Sequence, residues 1–229
     1  MPEPLDFDQP IPLFPLPNVV LYPRAVLPLH VFEQRYRAMM RDTLDGSNLL
    51  AMALLKPGYE AVYHTADAEI HPFVCVGRIV RVERLPDGRY HCLLRGITRA
   101  RILREDKRFC YRRGFLEPVA TSNPAPERLR ELRNKVLSLL ASPPLLELAV
   151  RGNWVQLLRR RSASLSDAVD LLASALLPTI EQKQSFLEEH RVEVRVHSLC
   201  DVLRQARNDL VAQREPWWVN AQSRNCCDN

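Results

Sequence analysis

Phe73-Val-Cys-Val-Gly77-Arg-Ile-Val-Arg-Val-Glu-Arg-Leu85, then Pro86-Asp87-Gly88-Arg89, then Tyr90-His-Cys-Leu-Leu-Arg95-Gly96-Ile-Thr-Arg99-Ala-Arg101-Ile-Leu103 is the stretch that decides the fold. Two runs rich in β-branched and apolar residues flank a turn in which Pro pre-sets one dihedral and Gly accepts the positive one. The segment therefore reads as a β-hairpin. Gly77 and Gly96 inside the arms predict bulges or close backbone approach, as a sheet needs where it bends into a barrel. On the second arm Arg95, Arg99 and Arg101 fall on one face with Ile97 and Leu103. Such a stripe either meets phosphates or acidic peptide or is a solvated face, and no aromatic residues interleave as a single-strand binder would want.

Upstream, residues 10 to 31 are dense in β-formers but broken by Pro10, Pro12, Pro15, Pro17, Pro23 and Pro28. Proline cannot donate to a ladder, so short strands with kinks between them are expected. Phe32 to Leu44 places Phe32, Tyr36, Met39, Met40 and Leu44 at helical spacing, a short helix. Leu49 to Leu55 is a continuous apolar run, read as a buried strand bounded by Pro57-Gly58. Tyr59 to Pro72 shows no period and reads as a loop.

Downstream, Thr121 to Pro126 is a linker by composition, after which the pattern turns helical. Glu127 to Ala141 is one helix, ended by Pro143-Pro144, and Leu145 to Arg161 a second, weakened by Gly152-Asn153. Ser164 to Asp167 and Thr179 to Gln182 have capping-box spacing and open two more. The last helix sets Val192, Val196, Leu199, Leu203, Ala206 and Leu210 at alternating steps of four and three, an apolar seam for core packing. The expected fold is α+β: a β-rich part over residues 1–120, a linker at 121–126, a helical bundle at 127–214 and a tail at 215–229.

The 229 residues are 46% apolar and 26% charged with a net charge of +5, ordinary values that argue for a globular protein and against disorder. The prolines near the N-terminus argue against an export signal, and no apolar run approaches the roughly 20 residues a bilayer needs. Six cysteines contain no C-x-x-C, so neither a zinc knuckle nor a disulfide framework is indicated, and a reducing cytoplasm fits. His71 and Cys75 lie too far apart along an extended segment to share a metal. His197 and Cys200 share a helical face and could form a thiolate pair, but a small buried cysteine on an amphipathic helix is the plainer reading. None of the seven glycines precedes a Lys, so a phosphate-cradling P-loop is excluded. G-x-S-x-G and H-E-x-x-H are missing as well. No catalytic residue, metal site or cofactor is expected.

Ile11 to Pro23, Leu27-Pro-Leu-His-Val-Phe-Glu-Gln-Arg-Tyr36, Val76-Gly77, Leu85-Pro-Asp-Gly88 and Leu94-Arg-Gly96-Ile-Thr-Arg99 together resemble, in order, the N-terminal substrate-binding domain of the Lon ATP-dependent proteases. Leu165-Ser-Asp-Ala168 to Leu177-Pro178, Glu181 to Glu188 and Arg195 resemble its helical end. The resemblance covers about residues 10 to 212. It implies a PUA-like β pseudo-barrel packed on a helical bundle, acting as a surface that recruits unfolded or tagged polypeptides. It further implies a non-enzymatic, stand-alone domain that presents polypeptide to a protease or chaperone, because the family's ATPase module and Ser-Lys dyad have no counterpart in these residues. Tyr59, Tyr63, Trp217 and Trp218 are the apolar residues least demanded by periodicity, and so the candidates for polypeptide contact. The competing expectation is RNA binding through the PUA-like barrel and Arg95, Arg99 and Arg101.

Overall fold

The hairpin forms as β4 (Phe73–Arg84) and β5 (Tyr90–Asp106), with Gly88 at the turn in the left-handed region (φ 80°). The computed structural model describes residues 5–65, 67–106, 108–160 and 163–213. Around the hairpin stand β1 (Ile11–Leu16), β2 (Val26–Val31), β3 (Leu49–Leu54) and β6 (Arg113–Pro118). The sheet order is β2-β5-β4-β3-β1-β6, and β5 also pairs with β6, so five strands close into a barrel that β2 extends. Closure is possible because β5 is 17 residues long: its first half pairs with β2 and its second half with β6, while β4 runs along both. β1 and β3 are parallel, the other pairs antiparallel.

Helix α1 (Gln34–Asp45) follows β2 and buries Tyr36, Met39 and Met40 against the barrel, each side chain stabilising by about 1.5–3 kcal/mol. Phe32 lies outside this helix and is exposed. The loop after β3 contains a single 3-10 turn, Glu60–Val62.

The helical part comprises α2 (Pro126–Leu140), α3 (Pro143–Arg151), α4 (Trp154–Arg159), α5 (Leu165–Leu176), α6 (Ile180–Glu188) and α7 (Val192–Gln213). The expected single helix over 145–161 is broken in two: the chain turns at Gly152, and Asn153 adopts a left-handed conformation (φ 59°). Both expected caps are present, with Ser164 Oγ accepting from the Asp167 amide (2.9 Å) and Thr179 Oγ1 from that of Gln182 (3.2 Å). The α7 seam packs as its spacing predicts, with Val192, Val196, Leu199 and Leu203 buried.

Two apolar clusters hold the molecule. The smaller fills one face of the sheet with Leu13, Leu49, Ala51, Val74, Val76, Ala100 and Leu116. The larger is continuous from barrel to bundle, running from Tyr22, Met39, Cys75 and Leu94 to Leu172, Leu187 and Leu199.

Candidate polypeptide-binding surface

Gly96 places the segment that leads into β2. A Cβ at Gly96 would lie 2.0 Å from the Tyr22 carbonyl oxygen, so the backbone around Tyr22 crosses β5 where only glycine leaves room. Arg24 (φ 69°) then donates its amide to the Gly96 carbonyl, and the Gly96 amide returns to Ala25, a bulge that starts the β2–β5 ladder. Tyr22 reaches on into the bundle, its hydroxyl donating to the Lys183 carbonyl at 2.7 Å.

From that bulge, ladder alternation turns the amides and carbonyls of Leu27, Leu29 and Val31 toward β5, and those of Val26, Pro28 and His30 away from it. Pro28 thus sits where its missing N–H costs the ladder nothing. Among the described residues β2 pairs with β5 alone, so its other edge is open. Beside that edge the outer face of β2, β5 and β4 forms a shallow groove of about 370 Å³, lined by Pro28, Leu29, His30, Arg81, Cys92 and Leu93, with Glu83 and His91 at one end. Val26, Val80 and Val82 are exposed on the same strands, and Phe32, 59% exposed, stacks at 5.6 Å on His30. Val80 is an extra residue in β4, placed by a register shift between Ile79 and Arg81, and this bulge pushes apolar side chains outward. An open strand edge beside apolar side chains has the geometry that adds an extended peptide by main-chain hydrogen bonds.

The arginine stripe does not hold together. Ile97 is an extra residue in β5, since Thr98 pairs with Val76 and Gly96 with Gly77. The extra residue inverts the alternation, turning Arg99 away from the face of Arg95. Arg99, 3% exposed, binds Asp170 through two 2.7 Å bonds and donates Nε to the Leu187 carbonyl. Arg195 closes on the same carboxylate from α7 and donates to Ser166 Oγ at 2.9 Å. The arginine expected at a phosphate is instead the join between barrel and bundle, while Arg95 and Arg101 remain exposed.

Tyr63 is half-buried, its hydroxyl donating to Glu33 Oε1 at 3.1 Å under the Arg35 guanidinium, and Tyr59 packs on it at 6.0 Å. This pair braces the loop against the start of α1. Trp217 and Trp218 lie outside the described residues. The groove residues carried no signal in the sequence beyond alternation, because which face of a strand is covered depends on where the bundle packs.

Cys200 is buried and burial pushes its thiol up, which opposes a thiolate with His197. Cys75, at the interface with the bundle, is pushed up to about 12 by burial. Among the described residues no group of three or more His, Cys, Asp or Glu could hold a metal ion, and no helix is long and apolar enough to cross a membrane.

The model of the ATP-dependent protease La (LON) substrate-binding domain matches residues 10–205. Lon protease 2 of Myxococcus xanthus is 24% identical over 213 residues, covering 90% of this chain and 24% of its own length. Lon protease of Trichlorobacter lovleyi is 28% identical over 235 residues, covering 97% and 26%. The chain thus spans about a quarter of the curated relatives it matches. Among solved structures, the N-terminal domain of a Mycobacterium avium complex Lon protease superposes with TM-score 0.65 at 18% identity, over 86% of this chain and 98% of that one. A Lon N-terminal domain protein from Xanthomonas campestris gives 0.57 at 24%, over 83% and 96%. Both agree with the α+β fold.

Proposed function

Because the chain belongs to the family of ATP-dependent protease La (LON) substrate-binding domains, we propose that it grips unfolded or tagged polypeptides at the open β2 edge and its apolar groove, making and breaking no covalent bond. One observation carries this reading: the strand with unpaired backbone groups bears exposed Val26 and leads directly into exposed Phe32, beside the apolar groove. The module then presents what it holds to a protease or chaperone. A cytoplasmic setting accords with the free thiols of Cys75, Cys92, Cys110 and Cys200.

Fluorescence anisotropy with a labelled, reduced and alkylated polypeptide tests the site. Saturable binding is expected, weakened about tenfold or more by Val26→Ser with Phe32→Ser, since each buried apolar side chain is worth about 1.5–3 kcal/mol. Tyr59→Ala should leave affinity within about twofold. No binding at tens of micromolar defeats the reading, and binding indifferent to the Val26 and Phe32 changes defeats the assignment of the surface. Presentation is checked separately: adding the module to a LON protease digesting the same polypeptide should change the rate of degradation.

A further inference from the structure

We propose that a separate basic cavity at the tip of the β4–β5 hairpin binds a small phosphate-bearing anion. The cavity holds about 220 Å³ and is lined by Gln34, Arg37, Arg41, Arg84, Gly88 and Tyr90. At about 30 Å³ per water molecule, it has room for a phosphoryl group and part of what it is attached to.

Most buried or half-buried arginines of this protein are committed: Arg99 to Asp170, Arg112 to Glu105, Arg195 to Asp170 and Ser166. In this cavity Arg37 is half-buried and Arg41 and Arg84 are exposed, and among the described residues no hydrogen bond or ion pair engages the guanidinium of any of the three. Asp87, the acid nearest the turn, is occupied by Arg89, whose Nε lies 2.6 Å from Oδ2 and whose amide lies 3.0 Å from Oδ1. Arg37 feels Asp87 electrostatically without pairing to it.

The arrangement costs the fold something. Arg37 and Arg41 stand one turn apart on α1, a like-charge spacing that destabilises a helix by a few tenths of a kcal/mol, about 0.2–0.5. Gly88 lets Arg37 lie across the turn: a Cβ there would come within 2.2 Å of Arg37 Nη2. Tyr90, 3% exposed, lines the cavity as well.

Three guanidinium forks therefore line one space that has no carboxylate among its lining residues. Their complement is a ligand made of acceptors that carries more than one negative charge. A phosphate dianion, with terminal oxygens spaced for bidentate guanidinium contacts, meets that description, whereas a carboxylate satisfies one fork and leaves two cations facing each other. The cavity shares no residue with the polypeptide groove, so the two sites stand or fall separately.

Calorimetric titration with inorganic pyrophosphate, and with a phosphate monoester, is the test. The wild-type protein should give saturable heat and a raised melting temperature, as any ligand selective for the folded state does. Arg37→Gln, Arg41→Gln and Arg84→Gln combined should weaken binding at least tenfold. Their own melting temperature should be unchanged or higher, since the charge repulsion is relieved, which separates loss of the site from loss of the fold. Polypeptide affinity should stay as in wild type. The proposal is overturned if pyrophosphate gives no heat, if the triple variant binds equally, or if sodium chloride at matched ionic strength reproduces the effect. Binding to RNA with none to pyrophosphate or monoester would overturn it too, assigning the arginines to a polymer backbone.

Discussion

β4 and β5 run through both ends of the molecule, and the two ends are built on opposite terms. Where Val74–Gly77 and Thr98–Ala100 pass under the bundle, side chains are buried on both faces and the one arginine there is locked to Asp170. Where the same strands continue as Val80–Arg84 and Tyr90–Arg95, valines stand in solvent, β2 leaves an edge open and Arg84 goes unpaired. Covered strand stabilises and uncovered strand is free to recognise. The bulges at Val80 and Ile97 mark the change from one regime to the other.

The comparison breaks if substitutions at the covered end prove harmless. Asp170→Ala should have the largest effect, about 3–5 kcal/mol by urea denaturation, because it strands two buried guanidinium groups. Gly96→Ala comes next, at about 3 kcal/mol, since the new methyl would meet backbone at 2.0 Å and the chain must shift. Ser164→Ala removes the α5 cap and should cost about 1 kcal/mol. Phe32→Ser, at the uncovered end, should change stability by no more than about 0.5 kcal/mol while impairing polypeptide binding. A stability loss at Phe32 equal to that at Ser164 would erase the contrast.

The smallest effect sharpens the picture at the junction of the two parts. The Arg191 side chain, bonded at 2.7 and 2.9 Å, holds the Glu189 carboxyl down to about 2, against the opposing effect of burial. A carboxyl lowered in the folded state stabilises fully above its unfolded value, near 4.3, and loses that contribution as pH falls toward about 2. Unfolding measured at stepped pH should show less acid sensitivity over that window in Arg191→Gln than in wild type.

Much of this fold could be read from the residues, wherever local chemistry decides. Pro86-Asp87-Gly88 gave its turn, Ser164 and Thr179 their caps, and α7 its seam. β6 is not legible in Arg113-Gly-Phe-Leu-Glu-Pro118, because its two large apolar residues are adjacent and lie between Gly and Pro, so its alternating burial has no counterpart in the residue pattern. Its strand character comes from β1 and β5 on either side. The arginine stripe was misjudged for a different reason. Counting by twos assumes a regular strand, and one inserted residue, Ile97, reverses every assignment beyond it. The groove was invisible, since a pattern shows which residues share a face and leaves open whether anything lies on it.

β1 pairs with β3 and with β6, so its second partner is encoded roughly a hundred residues after it. On a ribosome adding about 5–20 residues per second, Ile11–Leu16 waits several seconds before that side is closed. An exposed apolar strand in a nascent chain invites pairing with a neighbour, and Pro12 and Pro15 interrupt its run of donors throughout the delay. The prolines that make the finished barrel irregular thus act as a safeguard during its birth.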